Sequence, residues 1–526
     1  MKNHDCSRVS VCSTKFARSS NAIGGVKLVS LVLLSTIAVA HAQFVFVTNN
    51  GAITITQYTG PGGAVVIPAE TNGYPVTAIA GGAKTSAFGS SGITAVTIPD
   101  SITNIGAFAF QSCTNLTSIS VPDGVRYVGD QAFVHCTSLT NATLGSNTTS
   151  IGISVFGSCN NLPAVNVNEL NPNYSSIAGV LCNKSQTVLI EFPPGKRGVY
   201  AVPNGVTTIG TSAFATCTSL TGVIITNGVT AISNNAFSGC VNLASADLPG
   251  SLSSIGQYAF SSCSGLPLIT IPNGVTAIAD FTFAYCSQLA HVALGGGITS
   301  IGRAAFVDCT SLTNITIPSR VTTIGVDAFS SCGLVSVVIP DGVTSIGDDA
   351  FGGCVNLTSV SLPNSITSIG YMVFNFCNSL ANITIPGSVT FIEQSAFRYC
   401  TDLHGVYFEG NAPAVSPFDV FNSVNNVTSY YLPGTSGWGS TLSGHPTALW
   451  NPMIQSRDSS FGPGANGFGF NITGTANIPV VLEACTNLAG SVWTTVRSCN
   501  VTNGSINFSD PGWTNFPARF YRIRSP

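Results

Sequence analysis

The sequence predicts an α/β repeat solenoid, rich in β-structure, and three observations predict it. A short phrase, Phe-x-x-Cys, usually led by Ala, recurs with its Phe at 110, 133, 156, 214, 237, 260, 283, 306, 329, 351, 374 and 397, and Phe88 opens the series without a Cys. The steps are 23 residues, apart from two of 22 and one of 58. Self-similarity at a fixed period between about 20 and 50 residues marks stacked repeats. Ahead of most phrases lies a short alternating stretch such as Ile315-x-Ile317. The 526-residue chain is 44% hydrophobic and only 7% charged, against about 25% charged in ordinary domains. Disordered chains show the opposite combination, low hydrophobicity with high charge.

At the N-terminus, residues 1–42 read as a secretion signal. Lys2, Arg8, Lys15, Arg18 and Lys27 precede an apolar run over 28–39, and Ala40-His41-Ala42 supplies a small-x-small cleavage pattern. The competing reading, a membrane anchor, needs an apolar run of about 20 residues. Removing five basic residues and one acidic residue with this segment leaves a net charge near −7. No basic patch is visible, so neither nucleic acid nor an anionic membrane surface is an expected partner. No later apolar run reaches spanning length. Residues 43–99 are expected to form an N-terminal cap and first repeat. There 44–47 and 53–55 flank Asn49-Asn50-Gly51 as a hairpin that shields the first core layer.

The repeating unit reads Leu-x-x-Ile-x-Ile-Pro-x-x-Val-x-x-Ile-Gly-x-x-Ala-Phe-x-x-Cys-x-x. In one copy the apolar positions are Leu312, Ile315, Ile317, Val321, Ile324, Ala328, Phe329 and Cys332, with Pro318 and Gly325 between them. Ile-x-Ile alternates with period two and is β-branched, which predicts a short strand. Pro ends that strand by removing a backbone donor. Val-x-x-Ile-Gly predicts a second extended piece whose Gly suits a positive φ. The apolar spacing of three and four in the rest predicts one helical turn, α or 3₁₀. A single unit cannot bury its own apolar face, so the copies must lie on one another. About thirteen layers at about 4.8 Å each make an elongated body.

The Leu-x-x-Ile-x-Ile core resembles that of leucine-rich repeats. The 23-residue form with Ile-Gly-x-x-Ala-Phe-x-x-Cys resembles the BspA-type repeats of secreted and surface proteins, over roughly residues 50–408. The resemblance implies a right-handed leucine-rich-repeat coil. It also implies binding as the class of function, since the family is known for cell-surface adhesins that bind host matrix proteins or other cells. It identifies no ligand.

The 58-residue step hides one enlarged unit, with 12 extra residues inside 168–198. Asn183-Lys184-Ser185-Gln186 parts two apolar runs there, which predicts a protruding hairpin, either a spacer or a projection that touches a partner. The repeats are therefore placed at 100–408. A closing cap at 409–450 puts Trp438 and Trp450 over the last layer. A small β-sandwich-like domain follows at 451–526, with strands near 480–482, 492–493, 506–508 and 520–523.

Twelve cysteines in one column raise metal binding and disulfides as possibilities. Metal sites want Cys pairs two to four residues apart, and here the spacing is 22–23 within each run of repeats. A ladder aims its Cβ vectors in parallel rather than at each other, against disulfide geometry. Free Cys is among the most buried residue types, so these are expected to be inert core thiols. Cys485 and Cys499, in the tail, flank a strand-like segment and are a candidate disulfide. Gly462-Pro463-Gly464-Ala465-Asn466-Gly467 matches a dinucleotide fingerprint only formally, since no βαβ unit surrounds it. His135, His291, His404 and His445 occupy different repeat phases and cannot stack into a metal row. With no nucleophile–base constellation and no phosphate loop, the expectation is a protein with no enzymatic activity, cofactor or metal.

The outward position between the two strand Ile residues holds Ser120, Thr143, Asn166, Asp247, Thr270, Thr316, Ser361 and Thr384. Ile224, Ala293 and Val338 are apolar exceptions, and Tyr407 stands near the end. This is either a solvated strand face with Thr favoured for β propensity, or a hydroxyl-rich surface for a protein or glycan. It lacks the Trp, Tyr and Arg that dominate binding hot spots, which points to a weak, multivalent, or ice- or glycan-like ligand rather than a tight protein interface. By analogy with the resembling repeat type, the expected function is adhesion or recognition by a secreted or cell-surface monomer. Two alternatives stand beside it: a structural envelope or matrix component with no specific ligand, and a carbohydrate-active protein whose tail binds substrate.

Overall fold

The computed structural model describes residues 43–82, 86–488 and 492–526. The expected secretion signal lies outside the described residues. The chain winds into a β-solenoid of about sixteen coils, followed by a small all-β module. Each regular coil has three sides, two of them short parallel strands. On one, pairs such as Asn104–Ile105, Tyr127–Val128 and Ser150–Ile151 stack in register. On the other, Ser118–Ser120, Asn141–Leu144 and Val165–Val167 do the same. β-branched residues alternate in and out along these strands, so each coil sends one side chain from Ile119, Ala142 or Val165 into the core.

The third side is not helical, although its apolar spacing fits a helix. Among the described residues the only helices are two 3₁₀ turns in the tail, Thr502–Gly504 and Trp513–Asn515. The Ala-Phe-x-x-Cys segment is instead a run of tight turns with two left-handed residues per coil, such as Phe108 (φ 60°) and Ser112 (φ 58°). Their alternation with residues of negative φ turns every second N–H along the solenoid axis. Phe108, Phe110 and Ser112 donate to the carbonyls of Asp130, Ala132 and Val134 in the next coil at 2.8–3.0 Å. The remaining N–H groups close local turns, as in Gln111 to Phe108 at 2.9 Å. The coil therefore trades i→i−4 bonds for bonds between coils, and all three sides knit the stack together. This replaces the α/β expectation with a β-solenoid.

The Gly of Ile-Gly has a different purpose from the expected positive φ. Gly129 and Gly347 keep ordinary φ, but a Cβ there would stand 2.4 Å from the backbone N of Ala107 and Val326 in the preceding coil. Gly is needed for close backbone approach, while the left-handed positions go to Ser, Asn, Asp and even aromatic residues.

Inside, the phenylalanines form a column. Tyr58 starts it against Phe88 at 5.3 Å, and Phe88 to Phe156 follow with centroids 4.6–5.5 Å apart. The column restarts at Phe192, 4.8 Å from Phe214, and runs on to Phe421. Offset stacking of this kind adds about 0.5–1.5 kcal/mol per pair beyond area burial.

The enlarged unit does not protrude. Tyr174–Ile177, Val180–Asn183 and Val188–Glu191 form an antiparallel meander, and the last strand rejoins the parallel ladder beside Thr208–Ile209. Val180, Leu181, Cys182, Leu189 and Phe192 are buried, because they supply the core layer that this coil would otherwise lack. The buried residues still fall into two clusters here, one from Phe44 to Val165 with Leu181, the other from Val180 to Leu442. Glu191 sits at the junction, 3% exposed, and its Oε1 accepts the N–H of Phe156 at 2.8 Å in place of the usual carbonyl.

Coils continue beyond 408. Gly405–Phe408, Thr428–Tyr431 and His445–Leu449 extend one parallel ladder, and Val420-Phe421-x-x-Val424 repeats the core phrase with Val in the Ala and Cys places. Trp438 packs on Phe408 and Tyr431 at the end of the core. Trp450 instead turns to the tail, donating Nε1–H to the Pro479 carbonyl at 2.9 Å. At the other end, Phe44–Asn49 pairs antiparallel with Ala52–Tyr58 over the first coil. The tail has two antiparallel sheets that share one core of Phe470, Ile472, Val480, Leu482 and Phe508.

Candidate functional site

The cysteine column is the first place to look for chemistry, and its geometry is structural. Each of the twelve thiols donates to the carbonyl of the column Phe in the preceding coil, at 3.0–3.3 Å in eleven cases and 3.7 Å for Cys217. A small side chain with one weak donor fits where a turn carbonyl faces the core. Burial pushes the thiols of Cys240, Cys354 and Cys400 up to about 12. A buried thiol kept protonated is a poor nucleophile and a poor metal ligand. Sequence reasoning placed these residues inside but missed their hydrogen bonds between coils.

Cys485 and Cys499 are both free. They lie on adjacent strands, but Cys499 stands opposite Val480, five positions along from Cys485. At about 3.4 Å per residue the two are about 17 Å apart, far beyond the about 4.4–6.8 Å between Cα atoms that a disulfide spans. Gly462–Gly464 belongs to a hairpin with Gly467–Thr473. Among the described residues no group of three or more His, Cys, Asp or Glu is placed to hold a metal ion.

The hydroxyl-rich row lies along one strand side of the solenoid. Ser120, Asn166, Asp247, Thr270, Thr316 and Ser361 are exposed, while Thr143 and Thr384 are half-buried. Ser120, Thr143 and Asn166 are neighbours in register, as are Ile224 and Asp247, Thr270 and Ala293, and Val338 and Ser361. Thr316 falls in a stretch with no assigned strand, so the row is a series of short ladders. Its last members differ in kind, since Thr384 is followed by Tyr407 and then Tyr430.

Several aromatic and basic residues of the kind missing from that row lie on the turn side, at or beside the left-handed positions. Tyr258 and Phe281 stack at 4.7 Å and 5°. The Arg303 guanidinium lies 6.0 Å over Phe281, and its Nε is 3.8 Å from Asp327. Tyr285 stands nearby in the sequence, exposed, on the second left-handed column. Further along, Phe376 and Tyr399 stack at 4.5 Å, with Arg398 4.6 Å over the Tyr399 ring. Tyr258, Phe281, Tyr285, Phe376 and Tyr399 all have φ between 56° and 63°. Left-handed backbone costs a residue with a Cβ roughly 1–2 kcal/mol, and Gly239 and Gly353 show that glycine fits the same column. Bulky rings therefore occupy positions where the backbone disfavours them. The sequence signal was their place in the repeat, two residues before the column Phe or two residues after it.

The family profile described as BspA type leucine rich repeat region matches six copies over residues 83–194, 200–313 and 299–428. The chain belongs to this family. Among solved structures, a leucine-rich repeat protein from Bacteroides ovatus is 20% identical, covering 74% of this chain and 94% of its own, with a TM-score of 0.38. One from Eubacterium ventriosum is 21% identical, covering 68% and 92%, with a TM-score of 0.35. A leucine rich cell surface protein from Faecalibacterium prausnitzii is 25% identical, covering 69% and 86%, with a TM-score of 0.28. No curated protein matches the chain. Among the described residues no helix of this BspA-type chain is long and apolar enough to cross a membrane.

Proposed function

We propose that this BspA-type repeat protein is a secreted or surface-held recognition protein, and that its turn side carries the affinity. The observation behind this reading is the placement of Tyr258, Phe281, Tyr285, Phe376 and Tyr399 at left-handed positions, with Arg303 and Arg398 over the rings. An inert, repeated core beneath varied outward side chains is a scaffold for binding. Tyr258, Tyr285, Phe376 and Arg303 are exposed and Phe281, Tyr399 and Arg398 half-buried, and Tyr, Phe and Arg are the residue types that anchor protein interfaces. The hydroxyl-rich strand side then serves as a solvated flank. Export rests on the N-terminal basic, apolar and Ala40-His41-Ala42 pattern.

The test is binding of the full chain to whole cells, matrix proteins and a glycan array. A Tyr258→Ala/Phe281→Ala/Arg303→Ala variant is compared with a Thr143→Ala/Thr270→Ala/Ser361→Ala variant. The turn-side variant is expected to lose about thirtyfold or more in affinity, the scale of a hot spot. The strand-side variant is expected to stay within about twofold. The reverse order of effects assigns recognition to the strand side. Ordered self-assembly of the purified protein, with no ligand bound, supports the structural alternative.

A further inference from the structure

The strand side ends in a cleft of about 200 Å³ where the last coils meet the tail, lined among others by Thr384, Tyr407, Glu409, Tyr430, Trp450 and Arg524. Tyr407 breaks the Ser/Thr row, and the chain makes room for it. A Cβ on Gly405 would lie 2.9 Å from both the Tyr407 hydroxyl and its ring. Tyr430 stacks on one face of the Tyr407 ring at 4.9 Å and 12°, while the much smaller Thr384 is its register neighbour on the other side. Trp450 meets the ring at 82°, with centroids 6.2 Å apart, and is held by its bond to Pro479. The tail closes the far wall, with Ser525 Oγ 3.4 Å from Thr384 Oγ1.

Two features indicate what such a cleft takes. Its walls carry the rings of Tyr407, Tyr430 and Trp450, and the hydroxyls of Thr384 and Ser525 meet at its edge. The charges at the cleft cancel, since Glu483 binds both Arg524 (2.6 Å) and Arg522 (2.7 Å) and leaves one positive charge against the carboxylate of Glu409. That balance favours neither an anion nor a cation. Aromatic walls, hydroxyls on Thr384 and Ser525, one carboxylate acceptor and one guanidinium donor match a neutral polyhydroxylated ring. Such a ring presents an apolar C–H face together with hydroxyls that both donate and accept. The volume lies below the about 300–1,000 Å³ of drug-sized sites and suits one ring rather than an extended chain.

We infer that this cleft binds a single neutral sugar residue. The inference does not rest on the turn-side reading, and either stands if the other fails. The test titrates the full chain with methyl glycosides of glucose, galactose, mannose, N-acetylglucosamine and N-acetylgalactosamine, read by saturation-transfer NMR and tryptophan fluorescence. At least one glycoside is expected to bind. Thr384→Val, which removes a cleft hydroxyl and keeps a β-branched strand residue, is expected to weaken binding about five- to tenfold. Trp450→Phe is expected to weaken it and, by losing the bond to Pro479, to lower the unfolding temperature, while Leu170→Ala, at an exposed side chain of the enlarged unit, leaves it unaltered. No response to any glycoside, equal affinity in Thr384→Val, or a response to tetramethylammonium alone overturns the assignment.

Discussion

Replacing Phe283 by Ala is expected to lower the unfolding free energy by about 3–5 kcal/mol, the range for removing a large buried aromatic side chain. Phe283 is fully buried and stacks between Phe260 at 5.5 Å and Phe306 at 5.4 Å. Its neighbours cannot collapse into the hole, because their backbones are fixed by bonds between coils. Phe283 N–H donates to Ala305 O at 2.9 Å, and Phe260 N–H donates to Thr282 O at 2.9 Å. In a solenoid each coil touches only the next, so the damage should stay local. Amide exchange is expected to accelerate in the coils carrying Phe260, Phe283 and Phe306 and to remain unchanged in the tail. Urea denaturation reads the first effect, and hydrogen exchange with mass spectrometry reads the second. A loss below about 1 kcal/mol would mean that the column is loosely packed.

The second large effect is a pH dependence set by Glu191. Burial pushes its carboxyl up to about 7, only partly countered by the Phe156 and Val155 N–H groups. Oε2 has no partner, and the Cys217 thiol feels the charge of the ionised form. The folded state thus holds this proton to higher pH than the unfolded chain, whose reference value is 4.5. Below about 4.5 the group is neutral in both states and has no effect. Between about 4.5 and 7 the unfolded chain loses the proton first, so stability falls as pH rises, by about 3 kcal/mol in all. Above 7 the loss is complete. Glu191→Gln keeps an oxygen for the Phe156 N–H and removes the charge. The variant is therefore expected to match the native protein near pH 4 and to exceed its stability by up to about 3 kcal/mol at pH 8, measured as the difference between paired urea titrations. Parallel pH profiles for the two proteins would show that Glu191 is solvated.

The repeat made the core legible from sequence. An apolar residue that returns every 23 positions must face its copies, and this placed Phe283, Cys309 and Leu312 inside without a structure. The turn side was illegible because apolar residues three and four apart suit a helical turn and a run of tight turns equally well. What decides between them is where the N–H groups go, and that depends on the next coil. The frequent Ser and Gly before Cys, with one Asp, as at Ser112, Ser262, Gly353 and Asp308, was the available hint of left-handed backbone. Phe192 was also readable, since it precedes Phe214 by one regular step of 22. The polar stretch before it, however, drew attention to a hairpin. The cleft at Tyr407 was beyond reach, because it needs the tail to fold back beside Thr384 and Trp450.

The central claim is that sixteen or so coils stand only by lying on one another, with the cysteine column sealed between them. Thiol labelling of the undenatured full chain, followed residue by residue with mass spectrometry, tests it most directly. Among the fifteen described cysteines only Cys499 is not buried. The account predicts prompt labelling there, while the twelve column thiols react no faster than the chain unfolds. Prompt labelling across most of the column, from Cys113 to Cys400, would contradict it.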